Sequence, residues 1–168
     1  MTDLAPLLPA AGELVRLCAA RGLKIATAES CTGGLVAAAI TEISGSSAVF
    51  DRGFVTYSNA AKVELLGIPV ALIDRVGAVS EEVSRAMAEG ALDHSRADIA
   101  VAITGVAGPT GGTAERPVGL VHFSAMRRGQ PARHVKRHFE DRGRSAIRLA
   151  AADQALAMLL ALASQTTP

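Results

Sequence analysis

The sequence predicts an α/β protein: one three-layer α/β/α sandwich domain with a mixed, mostly parallel sheet and one edge hairpin. Short, apolar, partly β-branched runs alternate with longer stretches of helix formers, the pattern of strands covered by helices. Near the C-terminus, Arg127-Arg128-Gly129-Gln130-Pro131 separates two strand-like runs as a hairpin loop does. The 168 residues show no repeat, linker or charge block, so a single domain over residues 1–168 is expected.

Each element has a local reason. Leu4 to Ala20 carries Leu14, Val15, Leu17 and Cys18 at helical spacing and stops at Arg21-Gly22. Lys24 to Glu29 reads as a buried strand. Thr32-Gly33-Gly34 then opens an alanine-rich helix, Leu35 to Ile43, followed by a turn at Gly45-Ser46-Ser47. Phe50 to Tyr57 returns as a strand and Asn59 to Leu66 as a short helix, ended by Gly67-Ile68-Pro69. Ser80 is a good N-cap, with Glu81 and Glu82 in the first turn of a helix running to about Asp93. Asp98 to Thr104 (DIAVAIT) is the clearest buried strand. The fifteen residues from Gly105 to Gly119 hold five glycines and two prolines and read as a loop. The hairpin strands, Val118 to Met126 and Ala132 to Phe139, precede a long Ala/Leu helix from Arg144 to Ala163.

Composition excludes some functions. A formal net charge of +1 lacks the basic excess of a general nucleic-acid binder. The aromatics, Phe50, Phe54, Phe123, Phe139 and Tyr57, are too few for base-stacking platforms. Cys18 and Cys31 cannot build a disulfide framework and read as reduced thiols of a cytoplasmic protein. No signal peptide is visible, and no apolar stretch is expected to reach the length of about 20 residues that a membrane span requires.

Four segments could carry chemistry. In TAESCTGG, Ser30 stands where a strand ends and a helix begins. The helix dipole and the free amides of Thr32, Gly33 and Gly34 there suit a developing oxyanion or a phosphate; the plainer alternative is a helix cap with tight packing. In YSNAAK, Tyr57 and Lys62 can face the same sheet edge. A desolvated lysine beside a serine can act as general base, whereas a surface lysine and a half-buried tyrosine are the plainer alternative. The glycine-rich loop TGVAGPTGGT after a central strand is a natural ligand clamp. Arg142 or Arg144, ahead of the last helix, could bind a phosphate bidentately. His94, His122, His134 and His138 show no metal spacing, and neither a metal nor a cofactor is expected.

In order and spacing, TAESCTGG, GSSAVFDRGFVTYSNAAKVELLGI, GAVSEEVSRAMAEGAL and AITGVAGPTGGTAERPVG resemble the C-terminal domain of the competence/damage-inducible protein CinA. That domain also occurs alone as nicotinamide-nucleotide amidohydrolase (NMN deamidase, PncC). The resemblance covers roughly residues 8–163. It implies hydrolysis of the carboxamide of nicotinamide mononucleotide (NMN) to nicotinic acid mononucleotide and ammonia, in pyridine-nucleotide recycling. It places the family's nucleophilic serine on Ser30, its tyrosine on Tyr57 and its lysine on Lys62. Its substrate contacts fall on Ser47, Thr104, Gly105, Gly108 and Arg142. The usual Gly-Asp-Arg is here Glu140-Asp141-Arg142, which adds a negative charge near the phosphate position. Longer members carry an N-terminal nucleotide-pyrophosphatase-like domain, whose activities are not carried over. The competing expectations are a non-catalytic nucleotide- or protein-binding module linked to competence or DNA damage, and an amidohydrolase of another carboxamide. The expected partner is a small-molecule nucleotide, not nucleic acid or membrane. The edge hairpin and terminal helices could supply a homodimer interface.

Overall fold

The computed structural model describes residues 3–165. In chain order its elements begin with α1 (Leu8–Arg21), β1 (Ile25–Glu29), α2 (Leu35–Thr41), β2 (Phe50–Val55), α3 (Asn59–Leu66) and α4 (Val70–Val76). They continue with α5 (Glu81–Asp93), β3 (Ile99–Gly105), β4 (Leu120–Arg127), β5 (Arg133–His138) and α6 (Arg144–Ala163). The five strands form one mixed sheet in the order β2-β1-β3-β4-β5. β1 pairs in parallel with β2 and β3, whereas β3–β4 and β4–β5 are antiparallel.

Side-chain alternation along the central strands creates the two helical layers. Ile25 of β1 and Ile99, Val101 and Ile103 of β3 face one way, into a core shared with α1, α2 and α6. The intervening Ala26, Ala28, Ala100 and Ala102 face Val83, Met87 and Ala91 of α5 and Leu66 of α3. Small side chains on that face let α5 and α3 lie close to the sheet, which brings α3 over the end of β1.

Several boundaries differ from the sequence reading. The first helix opens as a 3-10 turn at Ala5–Leu7 before α1, because Pro6 and Pro9 lack the amide that continued α-helical bonding needs. β2 ends at Val55, two residues short of Tyr57, and β3 takes in Gly105, which reads as loop in the sequence. α4 is absent from the sequence reading; its seven residues after Pro69, Val70–Val76 (VALIDRV), give too short a window for helical periodicity to show. The expectation on membrane spans also needs correction. By length and composition α6 could cross a membrane, yet half of its apolar window is buried, with Ile147, Ala151, Ala155 and Leu159 inside the core.

The chain leaves β1 to one side for β2 and returns on the other side as β3. In a sheet of this kind the crevice outside the carboxyl ends of such diverging parallel strands is where ligands bind. Ser30, Thr56 and Gly105 all lie at that edge.

Candidate active site

Ser30 directly follows β1, so the two-residue alternation turns it to the same face as Ala26 and Ala28, toward α3. α3 is started by Ser58, whose Oγ accepts from the Ala61 amide at 3.0 Å. Lys62 sits one turn into this helix. Its Nζ lies 3.1 Å from Ser30 Oγ and donates to the Thr56 carbonyl at 2.7 Å.

Lys62 is 1 % exposed, and no carboxylate pairs with it among the described residues. Burial therefore pushes its pKa below the usual lysine value, opposed only by a smaller influence of Cys31. Cys31, next to Ser30, is the other candidate nucleophile by chemistry. Burial pushes its thiol up to about 11, which keeps it protonated near neutral pH.

Ser30 and Lys62 open into a cavity of about 340 Å³, whose wall includes Tyr57, Asn59, Val79, Ala107 and Arg144. Thr104, Gly105 and Gly108, expected from the sequence, line it as well. Thr104 Oγ1 donates to the Ala78 carbonyl at 2.8 Å, so its hydroxyl ties β3 to the segment before α5. Tyr57 is 60 % exposed and accepts a hydrogen bond from Arg144 Nη2 at 2.8 Å. Arg144 Nη1 also donates to the Gly108 carbonyl at 2.8 Å, bridging two walls of the cavity. Tyr57 makes no hydrogen bond to Ser30 or Lys62, whose contact is direct.

Two expected contacts are not brought to this cavity. Ser47 is exposed and precedes β2, whose six residues at ~3.3 Å each place it about 20 Å away at the opposite edge of the sheet. Within one chain it cannot share a ligand of NMN size with Ser30. Arg142 is 75 % exposed and turns to Glu140, with Nη2–Oε2 at 2.7 Å, beside a separate depression next to Phe139 and Ile147. The residue that reaches the cavity is Arg144, the alternative visible in the sequence.

The turn after Ser30 also differs in detail. Thr32, Gly33 and Gly34 do not line the cavity. The Gly33 amide is engaged, donating to the Ser30 carbonyl at 3.0 Å, while those of Thr32 and Gly34 have no acceptor among the described residues. Neither Ser30 nor Thr32 caps α2. Glu29, fully buried, accepts from the amides of Val36 and Ala37 at 2.9 and 3.0 Å. The first turn of α2 thus serves an internal carboxylate rather than a ligand.

Among the described residues, no group of three or more His, Cys, Asp or Glu side chains is arranged to hold a metal. His122 and His134 lie instead on neighbouring strands with Nδ1–Nε2 at 3.1 Å, and His134 faces Glu81 at 3.3 Å. Burial lowers both histidine pKa values, favouring neutral imidazoles, while the Arg85 guanidinium holds the Glu81 carboxyl below the usual carboxylate range.

A model of the family described as the CinA C-terminal domain matches residues 8–163. The nicotinamide-nucleotide amidohydrolase PncC of Enterobacter agglomerans is 53 % identical over 133 residues, covering 79 % of this chain and 80 % of that protein. A CinA-like protein of Akkermansia muciniphila is 52 % identical over 142 residues, 84 % of this chain but 34 % of that protein. A competence-damage inducible protein of Symbiobacterium thermophilum is 62 % identical over 115 residues, 68 % of this chain and 27 % of that protein. The chain thus spans about a third or less of the length of those two relatives. Among solved structures, the competence/damage inducible protein CihA from Agrobacterium tumefaciens superimposes with a TM-score of 0.86 at 52 % identity, covering 91 % of this chain and 95 % of that one. A CinA superfamily protein from Escherichia coli gives 0.88 at 34 % identity, covering 96 % and 93 %.

Proposed function

The chain belongs to the CinA C-terminal domain family, and from that premise we propose that it hydrolyses the carboxamide of NMN to nicotinic acid mononucleotide and ammonia. The observation that carries this reading is the Lys62 Nζ–Ser30 Oγ contact at 3.1 Å, made by a lysine that burial keeps from holding its proton firmly. A serine hydroxyl needs a base to become nucleophilic, and a neutral amine at hydrogen-bond distance is one. The PncC relative, alike over four-fifths of both chains, supports the choice of substrate.

The chemistry balances with these two side chains and water. Lys62 takes the proton of Ser30 as Oγ bonds to the carboxamide carbon, giving a tetrahedral oxyanion. The turn directly after Ser30 carries two unengaged amides, those of Thr32 and Gly34, neither of which lines the cavity; where such a donor reaches an oxyanion it typically lowers the barrier by about 3–4 kcal/mol. Lys62 passes its proton to the amide nitrogen, the C–N bond breaks, and ammonia leaves. Water then adds to the nicotinoyl ester with Lys62 again taking a proton, and the ester C–O bond breaks as Ser30 is reprotonated.

Arg144 is the residue suited to the phosphate of NMN, as an exposed guanidinium on the cavity wall. Tyr57, bonded to Arg144 and not to the Ser30–Lys62 pair, fits a part in the same anchoring rather than in a proton relay. The deciding experiment measures ammonia release from NMN, nicotinamide riboside and nicotinamide side by side. Release selective for NMN supports the proposal. Release from none of them shifts weight to a binding module, and preference for an unphosphorylated amide to a different amidohydrolase.

A further inference from the structure

We infer that Arg148 is a positioning residue for Ser30, acting through the turn that follows it; the inference rests on the reading of Ser30 as nucleophile. Arg144 and Arg148 lie one helical turn apart on α6, on one face of it. Arg144 reaches the cavity, whereas Arg148 holds the turn itself: Nε donates to the Cys31 carbonyl at 3.1 Å and Nη2 to the Thr32 carbonyl at 2.9 Å. These bonds join residues 116 and 117 positions apart. No carboxylate pairs with this guanidinium among the described residues, so its charge is directed at two peptide groups.

The grip determines geometry because the peptide unit is planar and trans, with its N–H opposite its C=O. Holding the Cys31 and Thr32 oxygens sets the directions of the Thr32 and Gly33 amides. The Gly33 amide in turn donates to the Ser30 carbonyl at 3.0 Å, which ties the orientation of the turn to the backbone of Ser30. On its other side Ser30 adjoins Glu29, whose carboxylate is fastened to the Val36 and Ala37 amides. The nucleophile therefore sits between two side-chain anchors, Glu29 on β1 and Arg148 on α6.

Gly33 shows why the local sequence suits this arrangement. Its φ is +59°, and a Cβ added there would stand 3.3 Å from Arg148 Nη2. Glycine both adopts the turn and leaves room for the guanidinium. There is an electronic consequence as well. A carbonyl accepting from a cation polarises its peptide group, which strengthens the N–H on the far side as a donor. The Thr32 amide, unengaged among the described residues, is the one so strengthened by the bond to Cys31.

The test reads Ser30 reactivity without relying on the natural substrate. A fluorophosphonate forms an O–P bond to a reactive serine, with fluoride leaving and the serine proton passing to the base; intact-mass spectrometry follows the adduct. Wild type should label and Ser30→Ala should not. Arg148→Met, which keeps the stem and loses the fork, should label slower by about tenfold or more. Arg148→Lys, able to hold one carbonyl, should fall between the two. If the protein turns over NMN, kcat should drop in parallel while KM moves by less than about threefold. Labelling of folded Arg148→Met at the wild-type rate overturns the inference and leaves the nucleophile reading standing. Wild type that does not label overturns that reading, and this inference with it. Should Arg148→Met lack a cooperative melting transition, Arg148→Lys decides, and labelling at the wild-type rate overturns the inference.

Discussion

Lys62 Nζ stands 3.1 Å from Ser30 Oγ across 32 residues of sequence, and the lysine making that contact is 1 % exposed. The pair is assembled by two independent local features, the strand end that presents Ser30 and the Ser58-capped helix that presents Lys62. Removing the hydroxyl should leave both features intact. Ser30→Ala is expected to fold with an unchanged circular dichroism spectrum and to lose ammonia release from NMN by at least about 10³-fold. Retention of near-full activity would sink the acyl-enzyme scheme.

Lys62 should leave a signature in both rate and stability as pH changes. Burial lowers its native pKa, so between the native value and the unfolded value of about 10.4 the unfolded chain binds more protons. Native stability then rises with pH across that window, and the burden of the buried amine is greatest below it. Lys62→Met should abolish turnover. Its melting temperature relative to wild type should increase as pH is lowered from 10 and level off once the lowered Lys62 pKa is passed. Differential scanning fluorimetry at several pH values checks this; a pH-independent offset would show that the amine is not strained by burial. Wild-type kcat/KM should fall as pH drops through the lowered Lys62 pKa, because the protonated amine cannot serve as base.

Arg144 and Tyr57 divide from Ser30 and Lys62 in what they should change. Arg144→Met removes a charge-assisted contact worth about 1.5–3 kcal/mol, so KM for NMN should rise roughly 10- to 100-fold with a smaller change in kcat. Arg142→Met should alter neither, since Arg142 pairs with Glu140 outside the cavity. Tyr57→Phe should mainly raise KM. A large fall in kcat with KM unchanged would instead give the phenol a proton-relay role.

Gly90 in α5 tests the packing that places α3. A Cβ at this position would overlap the Leu66 carbonyl oxygen of α3 and stand 2.9 Å from Leu66 Cβ. In an open helix Gly→Ala would stabilise by up to about 1 kcal/mol. Here the clash with backbone should dominate, giving a net loss of about 1–3 kcal/mol in denaturant unfolding. Because α3 carries Lys62, the folded fraction should also show reduced activity, which separates this variant from one that is merely less stable.

What the amino-acid sequence determined by itself is the local part of the design. The apolar runs of β1 and β3, the Ser80 cap with Glu81 and Glu82 behind it, and the turn placing Ser30 after a strand all depend on neighbours within a few residues. Collinear motifs added Lys62 and Tyr57 as residues to watch. Only the tertiary structure decided which side chains meet. Arg144 rather than Arg142 reaches the cavity because the two lie on different sides of the entry to α6, and that choice depends on how α6 docks across β3 and β4. Ser47 falls out of reach because β2 carries it to the opposite edge of the sheet. The anchors Glu29 and Arg148 have no sequence signal, since their partners are peptide groups, which every residue possesses. Periodicity and capping are short-range and therefore legible. Contacts between side chains and backbone 116 or 117 residues apart exist only once the sheet and its helices have packed.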